Sequence, residues 1–181
     1  MKKILKYLII FIICCYMINV IRNLIILNKL QGKIDKLDNI NEFSYVVKEN
    51  GKYSTRRVKK DNVIKFEKIG VETTYYDNNL KERIVIDSNG EKNIYNNNVE
   101  TVMTLPKGFL GDTKGIYKRA FTEFISSTKI DGKKCYKIKE NKNVVRYISA
   151  DDGLILRSVE GNTTYDLTYN IKNVDVSEIM Y

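Results

Sequence analysis

"SADDGLILRSVEGNTTYDLTYNI", residues 149–171, turns at Asp151-Asp152-Gly153 and again at Gly161-Asn162. Between and after those turns apolar and polar residues alternate, as a half-buried strand requires. Two such runs joined by a tight turn read as an antiparallel hairpin. Working outward, the same pattern recurs. On the near side, strands are expected at 133–140, 144–149, 154–160 and 163–174. Toward the N-terminus, period-two runs fall at 43–49, 52–59, 63–69, 71–76, 80–87, 91–95 and 99–105. Asn50-Gly51 and Ser88-Asn89-Gly90 mark hairpins, and the last run stops at the chain's only proline, Pro106. A meander of this kind builds an antiparallel sheet.

One segment departs from period two. Ile116, Ala120, Phe121, Phe124 and Ile125 lie on one face of a helix spanning about 113–127. Asp112 or Thr113 is placed to cap it. The fold class expected is therefore mainly β (α+β). A twisted sheet of about eleven strands cannot remain flat and must curl. The result is an unclosed barrel whose concave face is filled by one or two helices, leaving a hydrophobic cavity or groove.

The N-terminus, "MKKILKYLIIFIICCYMINVIRNLIIL", has a basic start and then an apolar run interrupted at Asn19 and at Arg22-Asn23. Residues 4–27 would make a helix about 36 Å long, enough to cross a bilayer. Lys2, Lys3 and Lys6 would keep the N-terminus in the cytoplasm and put the remainder outside, as a single-pass membrane protein. A lipoprotein signal and a cleaved signal peptide compete with this reading. Ile12-Ile13 before Cys14 is a poor lipobox, and no small-x-small site follows the apolar run, which favours an uncleaved anchor. The organisation expected is an anchor over 1–27, a stem helix over 28–41 and a half-barrel over 42–181. Leu27, Leu30, Ile34 and Leu37 give the stem a narrow apolar stripe that needs cover from the sheet.

Composition narrows the chemistry. The chain of 181 residues has 31 Lys and Arg against 22 Asp and Glu, a net charge of +9. The first 27 residues hold four of the cations and no acid, so the rest is only mildly basic, unlike a nucleic-acid binder. The densest basic run is Arg56, Arg57, Lys59 and Lys60, read as a solvated edge-strand face or as a contact for anionic lipid or wall polymer. There is no histidine, which removes the commonest general base and metal ligand. Cys14 and Cys15 lie in the leader and Cys135 stands alone, so no CxxC site exists. Cys135 reads as an inert thiol, or as a disulfide link to a second copy; a strand edge offers another route to a homodimer. Asp151-Asp152 reads as a turn that caps itself rather than a catalytic pair. No catalytic, cofactor-binding or metal-ligating residue is expected.

The stretch "IDGKKCYKIKENKNVVRYISADDGLILRSVEGNTTYDLTYNIKNVDVSEI" resembles the corresponding region of the lipoprotein-carrier (LolA-like) superfamily. The likeness covers roughly residues 99–179. It rests on a DG-x-x-x-Y hairpin (Asp131, Gly132, Tyr136), an aromatic-Ile pair (Tyr147, Ile148), a D-x-G-L turn (Asp151, Gly153, Leu154) returning through Arg157, and an N-V-D tail (Asn173, Val174, Asp175). The resemblance implies a fold that binds acyl chains or lipoproteins, senses envelope state, or serves as a non-catalytic partner of envelope proteins. Membrane-attached members resembling this chain include sporulation and germination lipoproteins of low-GC Gram-positive bacteria, among them an adaptor for a spore-cortex amidase.

Two functions follow as expectations. In the first, Phe121, Phe124 and Ile125 plug the barrel and the tethered domain is an adaptor for an envelope protein. In the second, the cavity carries or senses a lipid or acyl chain, with helix 113–127 as lid and with Ile116 and Ala120 beneath it. Tyr136, Ile138, Tyr147, Leu154, Leu156, Tyr165, Leu167 and Tyr169 are the candidate cavity or rim residues, read first as packing and second as a ligand cage.

Overall fold

The computed structural model describes residues 2–96, 100–171 and 174. The expected strand start at Val99 and the Asn173 and Asp175 of the resemblance lie outside the described residues. Helix α1 (Lys2–Ile34) is continuous through the expected anchor and stem and ends in a 3-10 turn, Asp35–Asn39. It is followed by β1 (Phe43–Glu49), β2 (Lys52–Lys60), β3 (Val63–Lys68), β4 (Glu72–Asp77), β5 (Glu82–Asp87) and β6 (Lys92–Asn96). After α2 (Thr113–Thr122) come β7 (Ser126–Ile130), β8 (Lys133–Lys139), β9 (Val144–Ser149), β10 (Ile155–Glu160) and β11 (Thr163–Ile171).

All eleven strands form one antiparallel sheet in the order β6-β5-β4-β3-β2-β1-β11-β10-β9-β8-β7. Two meanders meet where β1 pairs with β11, Phe43 opposite Ile171 and Glu49 opposite Tyr165. β6 and β7 remain at opposite ends of the order, so the barrel is open, as expected. The turns are set by local chemistry. Asn50 (φ 49°) and Gly51 (φ 82°) both occupy the left-handed region that a two-residue hairpin demands. The Asp151-Asp152-Gly153 turn is bonded by its own side chains. Ser149 Oγ accepts from Asp151 N at 3.2 Å, and Asp152 Oδ1 accepts from Leu154 N at 3.1 Å. Gly153 serves twice: its φ is 82°, and an added Cβ would lie 3.0 Å from the backbone N of Ile34. That close approach seats the turn on the end of α1.

The strand count matches the expectation, but one strand is exchanged for another. The run expected over 99–105 is not a strand in its described part. Residues 100–106 cross the concave face in extended form, and side chains satisfy the backbone in place of a ladder. Asn78 bonds both the N–H and the carbonyl of Thr101, and Lys59 Nζ donates to Met103 O. The alternation is nevertheless real, because Met103 and Leu105 are buried and Val102 is exposed. The eleventh strand is β7, whose first two residues overlap the end of the expected helix and whose remainder falls where no element is expected. Helix α2 stops at Thr122, capped at its start by Asp112, whose Oδ1 accepts from Gly115 N at 2.8 Å.

The core lies between the sheet and α1. Val20, Leu27, Leu30 and Ile34 pack with Ile116, Ala120, Ile125, Ile138 and Ile148 under the second meander. Leu37 joins Phe43, Tyr45, Ile64, Met103, Leu105 and Leu154 under the first. Full burial of each such side chain contributes about 1.5–3 kcal/mol. The buried stripe of α1 thus begins at Val20, within the stretch read as anchor. Its polar interruptions serve the fold as well. Asn23 Nδ2 donates to the carbonyls of Ala120 (3.2 Å) and Glu123 (2.7 Å), Arg22 to Ile125 O, and the Tyr16 hydroxyl to Phe121 O at 2.8 Å. These groups satisfy carbonyls at the C-terminal end of α2 that its own turns leave open.

Candidate functional site

Strand parity decides which side chains meet on the concave face. Tyr45 and Val47 of β1 stand opposite Arg57 and Thr55 of β2 and opposite Tyr169 and Leu167 of β11. Ser158 of β10 stands opposite both Tyr165 of β11 and Arg146 of β9. All of these but Tyr169, together with Ser54, Glu160, Ile155 and Pro106, line an open groove of about 480 Å³. Its floor is apolar, from Val47, Leu167 and Ile155, and an arginine stands on each side.

Arg146 is held in place by Glu140 (2.9 Å), Glu160 (2.8 Å) and Ser158 Oγ (2.5 Å). Arg57 donates to the Tyr45 hydroxyl at 3.2 Å, and its guanidinium lies over the rings of Tyr45 and Phe66 at 5.9 and 5.1 Å. Burial pushes the Tyr45 phenol above its usual range, with Arg57 opposing. Tyr169 is pushed up further, first by burial and then by Tyr45 and Asp152. Both phenols are therefore neutral at physiological pH, Tyr45 accepting from Arg57 and Tyr169 donating to Ile155 O. Among the described residues no group of three or more His, Cys, Asp or Glu side chains is placed to hold a metal. The arrangement suits binding: a fixed apolar floor, the Arg57 guanidinium on one wall, an Arg146 already neutralised by Glu140 and Glu160 on the other, and a roof at Pro106.

The expected cavity residues divide three ways. Tyr165 and Leu167 line the groove, with Tyr169 behind them bonded to Ile155 O at 2.6 Å. Tyr136, Ile138 and Leu154 are on the concave face but covered by the helices and the crossing segment. Tyr147 and Leu156 are on the opposite face, packed with Ile130 and Cys135. The physical reason is register. Tyr147 pairs with Lys137, one residue out of phase with the Tyr136–Ile148 pair, and a bulge between Ile155 and Arg157 breaks the alternation of β10. Cys135 is fully buried, and desolvation raises its pKa, so its thiol is neither exposed nor activated. Arg157 pairs with its register partner Asp166 at 2.5 Å.

Three further expectations are corrected. Ile116, Ala120 and Ile125 are buried against α1, but Phe121 and Phe124 are exposed and plug nothing. Both follow or end the short helix at angles its buried face does not reach. Helix α2 is also not a lid, because α1 holds it away from the groove and Pro106 supplies the roof. The basic run does not form one patch, since adjacent residues of a strand point to opposite faces. Arg57 lines the concave groove, whereas Arg56 lines a second, shallower groove of about 410 Å³ with Ser44, Val46 and Thr168. Lys59 donates to Met103 O and Lys60 to Val174 O at 3.0 Å. Sequence reasoning missed Tyr45, Val47, Thr55, Arg146, Ser158 and Glu160. The parity of β1 could have offered Tyr45 and Val47, but the partners across β11 required the meander junction.

Fold and groove together define a class: an open antiparallel half-barrel over helices, with one N-terminal helix long and apolar enough to cross a membrane. No family model matches the chain, and no curated protein sequence does. Two crystal forms of PNGF-II, in space groups C2 and P21, are similar at 13% and 14% identity, each with a TM-score of 0.31. The likeness covers 76% and 77% of this chain but only 29% and 30% of theirs. A DUF1329 family protein from Desulfovibrio piger is similar at 12% identity and a TM-score of 0.26, over 90% of this chain and 99% of that one. At scores this low the likeness carries no argument, and the architecture rests on the strand order itself.

Proposed function

We propose that this protein is a membrane-tethered, extracytoplasmic, non-catalytic binding module whose groove takes the apolar part of an amphiphile, with its polar head beside Arg57. The observation that carries this reading is the open groove of about 480 Å³, a size within the usual range for small-molecule sites. Of the three side chains expected to fill the barrel for a protein-docking role, Ile125 is buried against α1 but Phe121 and Phe124 are exposed, which leaves the tether as the other argument for that role. Lys2, Lys3 and Lys6 ahead of the apolar stretch support a cytoplasmic N-terminus and an external domain. A tether suits a sensor or a local presenter of lipid better than a shuttle between membranes.

Native mass spectrometry of the full chain, taken from its own envelope, tests this. A stoichiometric lipid or fatty acid is expected, and Leu167→Trp, which fills the floor, should abolish it while leaving the circular dichroism spectrum intact. A chain that carries no lipid and whose wild-type and L167W forms behave alike would end the reading. One observation favours a second function, docking of an envelope protein. β6 is an edge strand with all five residues exposed, Ile94 and Tyr95 among them. Such an edge can accept an added strand. A stoichiometric protein partner lost on Asn93→Pro would support that alternative.

A further inference from the structure

Helix α2 buries Ile116 and Ala120 against α1, but Tyr117 and Phe121 of the helix and Phe124 just after it are exposed, Phe124 by 73%. None of these aromatics lines the groove. Their position along α1 is fixed. Phe121 O accepts from Tyr16, the carbonyls of Ala120 and Glu123 accept from Asn23, and the Phe124 ring lies 5.1 Å from the Arg22 guanidinium. The aromatic end of α2 therefore lies beside residues 16–23 of α1.

A hydrocarbon core about 30 Å thick requires about 20 helical residues. Counted from Ile4, the first apolar residue after Lys2-Lys3, the span ends at Asn23; counted from Tyr7, after Lys6, it ends at Ile26. In either register residues 16–22 belong to the outer part of the span. Most of the apolar side chains of α1 before Val20 are exposed, Ile4, Phe11 and Ile18 among them, so nothing among the described residues of the domain covers that stretch. A domain hydrogen-bonded to residues 16, 22 and 23 cannot stand clear of the bilayer on a stalk.

We propose that Phe121 and Phe124 insert into the interfacial layer of the bilayer that α1 crosses, docking the half-barrel on the lipid surface. The ligand of this patch is the membrane itself. Phenylalanine rings of a lysine-bearing helix bury at the headgroup–acyl boundary, and the exposed Lys114 and Lys118 of α2 are placed for anionic headgroups. Arg22, otherwise costly near hydrocarbon, is accounted for by the same geometry: it donates to Ile125 O and lies against Phe124 at the level where the span ends. The inference rests on the reading of α1 as a membrane span.

The chain contains no tryptophan, so a single introduced Trp is a unique reporter. The full-length chain is reconstituted into phosphatidylcholine–phosphatidylglycerol vesicles with lipids brominated at shallow or deep acyl positions. Four variants are compared: Ile12→Trp in the span, Phe121→Trp and Phe124→Trp in the patch, and Val102→Trp, which is exposed beside Leu37 and Asp38 beyond the far end of α1. Emission from I12W should be lost to deep bromines, that from F121W and F124W to shallow bromines, and that from V102W to neither. Quenching of I12W with none in F121W and F124W overturns the docking and leaves the tether standing. Blue-shifted but unquenched emission from F121W and F124W would mean that protein, rather than lipid, covers the patch, which also overturns it. Unquenched I12W would remove the tether and the docking together.

Discussion

The hydroxyl of Tyr169 donates to the Ile155 carbonyl at 2.6 Å and has Pro106 O within 3.3 Å, so it ties β11 to β10 and to the roof of the groove. Replacing it by phenylalanine leaves those carbonyls short of a donor, and Tyr169→Phe should cost about 1–2 kcal/mol in urea unfolding at neutral pH. The phenol is held well above its ordinary value of 10.0, mainly by burial. A group whose folded pKa is raised gives stability that is full below its unfolded pKa and lost as pH climbs through the folded one. Wild-type stability should therefore fall as pH rises above 10.0, and the fall should be shallower in Tyr169→Phe. An equal slope in both proteins would contradict the assignment. Asn23 makes the complementary point. An amide inside an apolar leader looks like a flaw in a membrane span, yet it is fully buried and bonded to two carbonyls of another element.

Helix α1 combines two roles along one continuous axis. Most of its residues before Val20 have no cover from the domain, whereas Val20, Leu27, Leu30 and Ile34 are core. Removing residues 1–15 should leave a folded half-barrel, because the contacts to α2 start at Tyr16. Removing residues 1–28 should abolish cooperative thermal unfolding, because Val20, Asn23 and Leu27 go with it. The loss of three buried side chains, at about 2–5 kcal/mol for each large one, is comparable to the whole stability of a domain. If the shorter chain melts as cooperatively as the longer, α1 is a stalk and not part of the core. The expected division into anchor and stem at residue 27 follows hydropathy, whereas packing divides the helix earlier. Helix α2 is similarly defined by its neighbours: Asp112 caps its start, and three side chains of α1 satisfy its end.

At the scale of the whole molecule, one seam joins the two meanders. β1 pairs along its full length with residues 165–171 of β11, across a large separation in sequence, while β6 and β7 end the sheet among the described residues. Native-state hydrogen exchange should find the slowest amides along β1 and β11 and the fastest strand amides in β6 and β7, since edge strands open at little cost. Equal protection across the sheet would show that the edges are covered, for example by a second copy. The groove lies on this seam, with walls from both meanders.

What could be read from residues alone follows from local physics. Period-two alternation, Asn-Gly and Asp-Gly turns, the Leu27-Leu30-Ile34-Leu37 stripe and the apolar leader determine an open antiparallel sheet over helices. Each of those signals acts within a few residues of itself. The sequence also contains the alternation of residues 101–105, but alternation specifies which side chains are buried and not whether a neighbouring strand is there to pair. The tertiary structure made that segment a crossing chain, because β6 ends the sheet and Asn78, Lys59 and Tyr169 occupy its backbone groups. It likewise decided which face Leu156 takes, since a single bulge in β10 reverses parity there. It turned Arg22 and Asn23 from interruptions into contacts, because their partners lie about a hundred residues away. The groove belongs to the same category: a pairing between the first strand and the last brings its walls together, and no local pattern in either strand encodes the other.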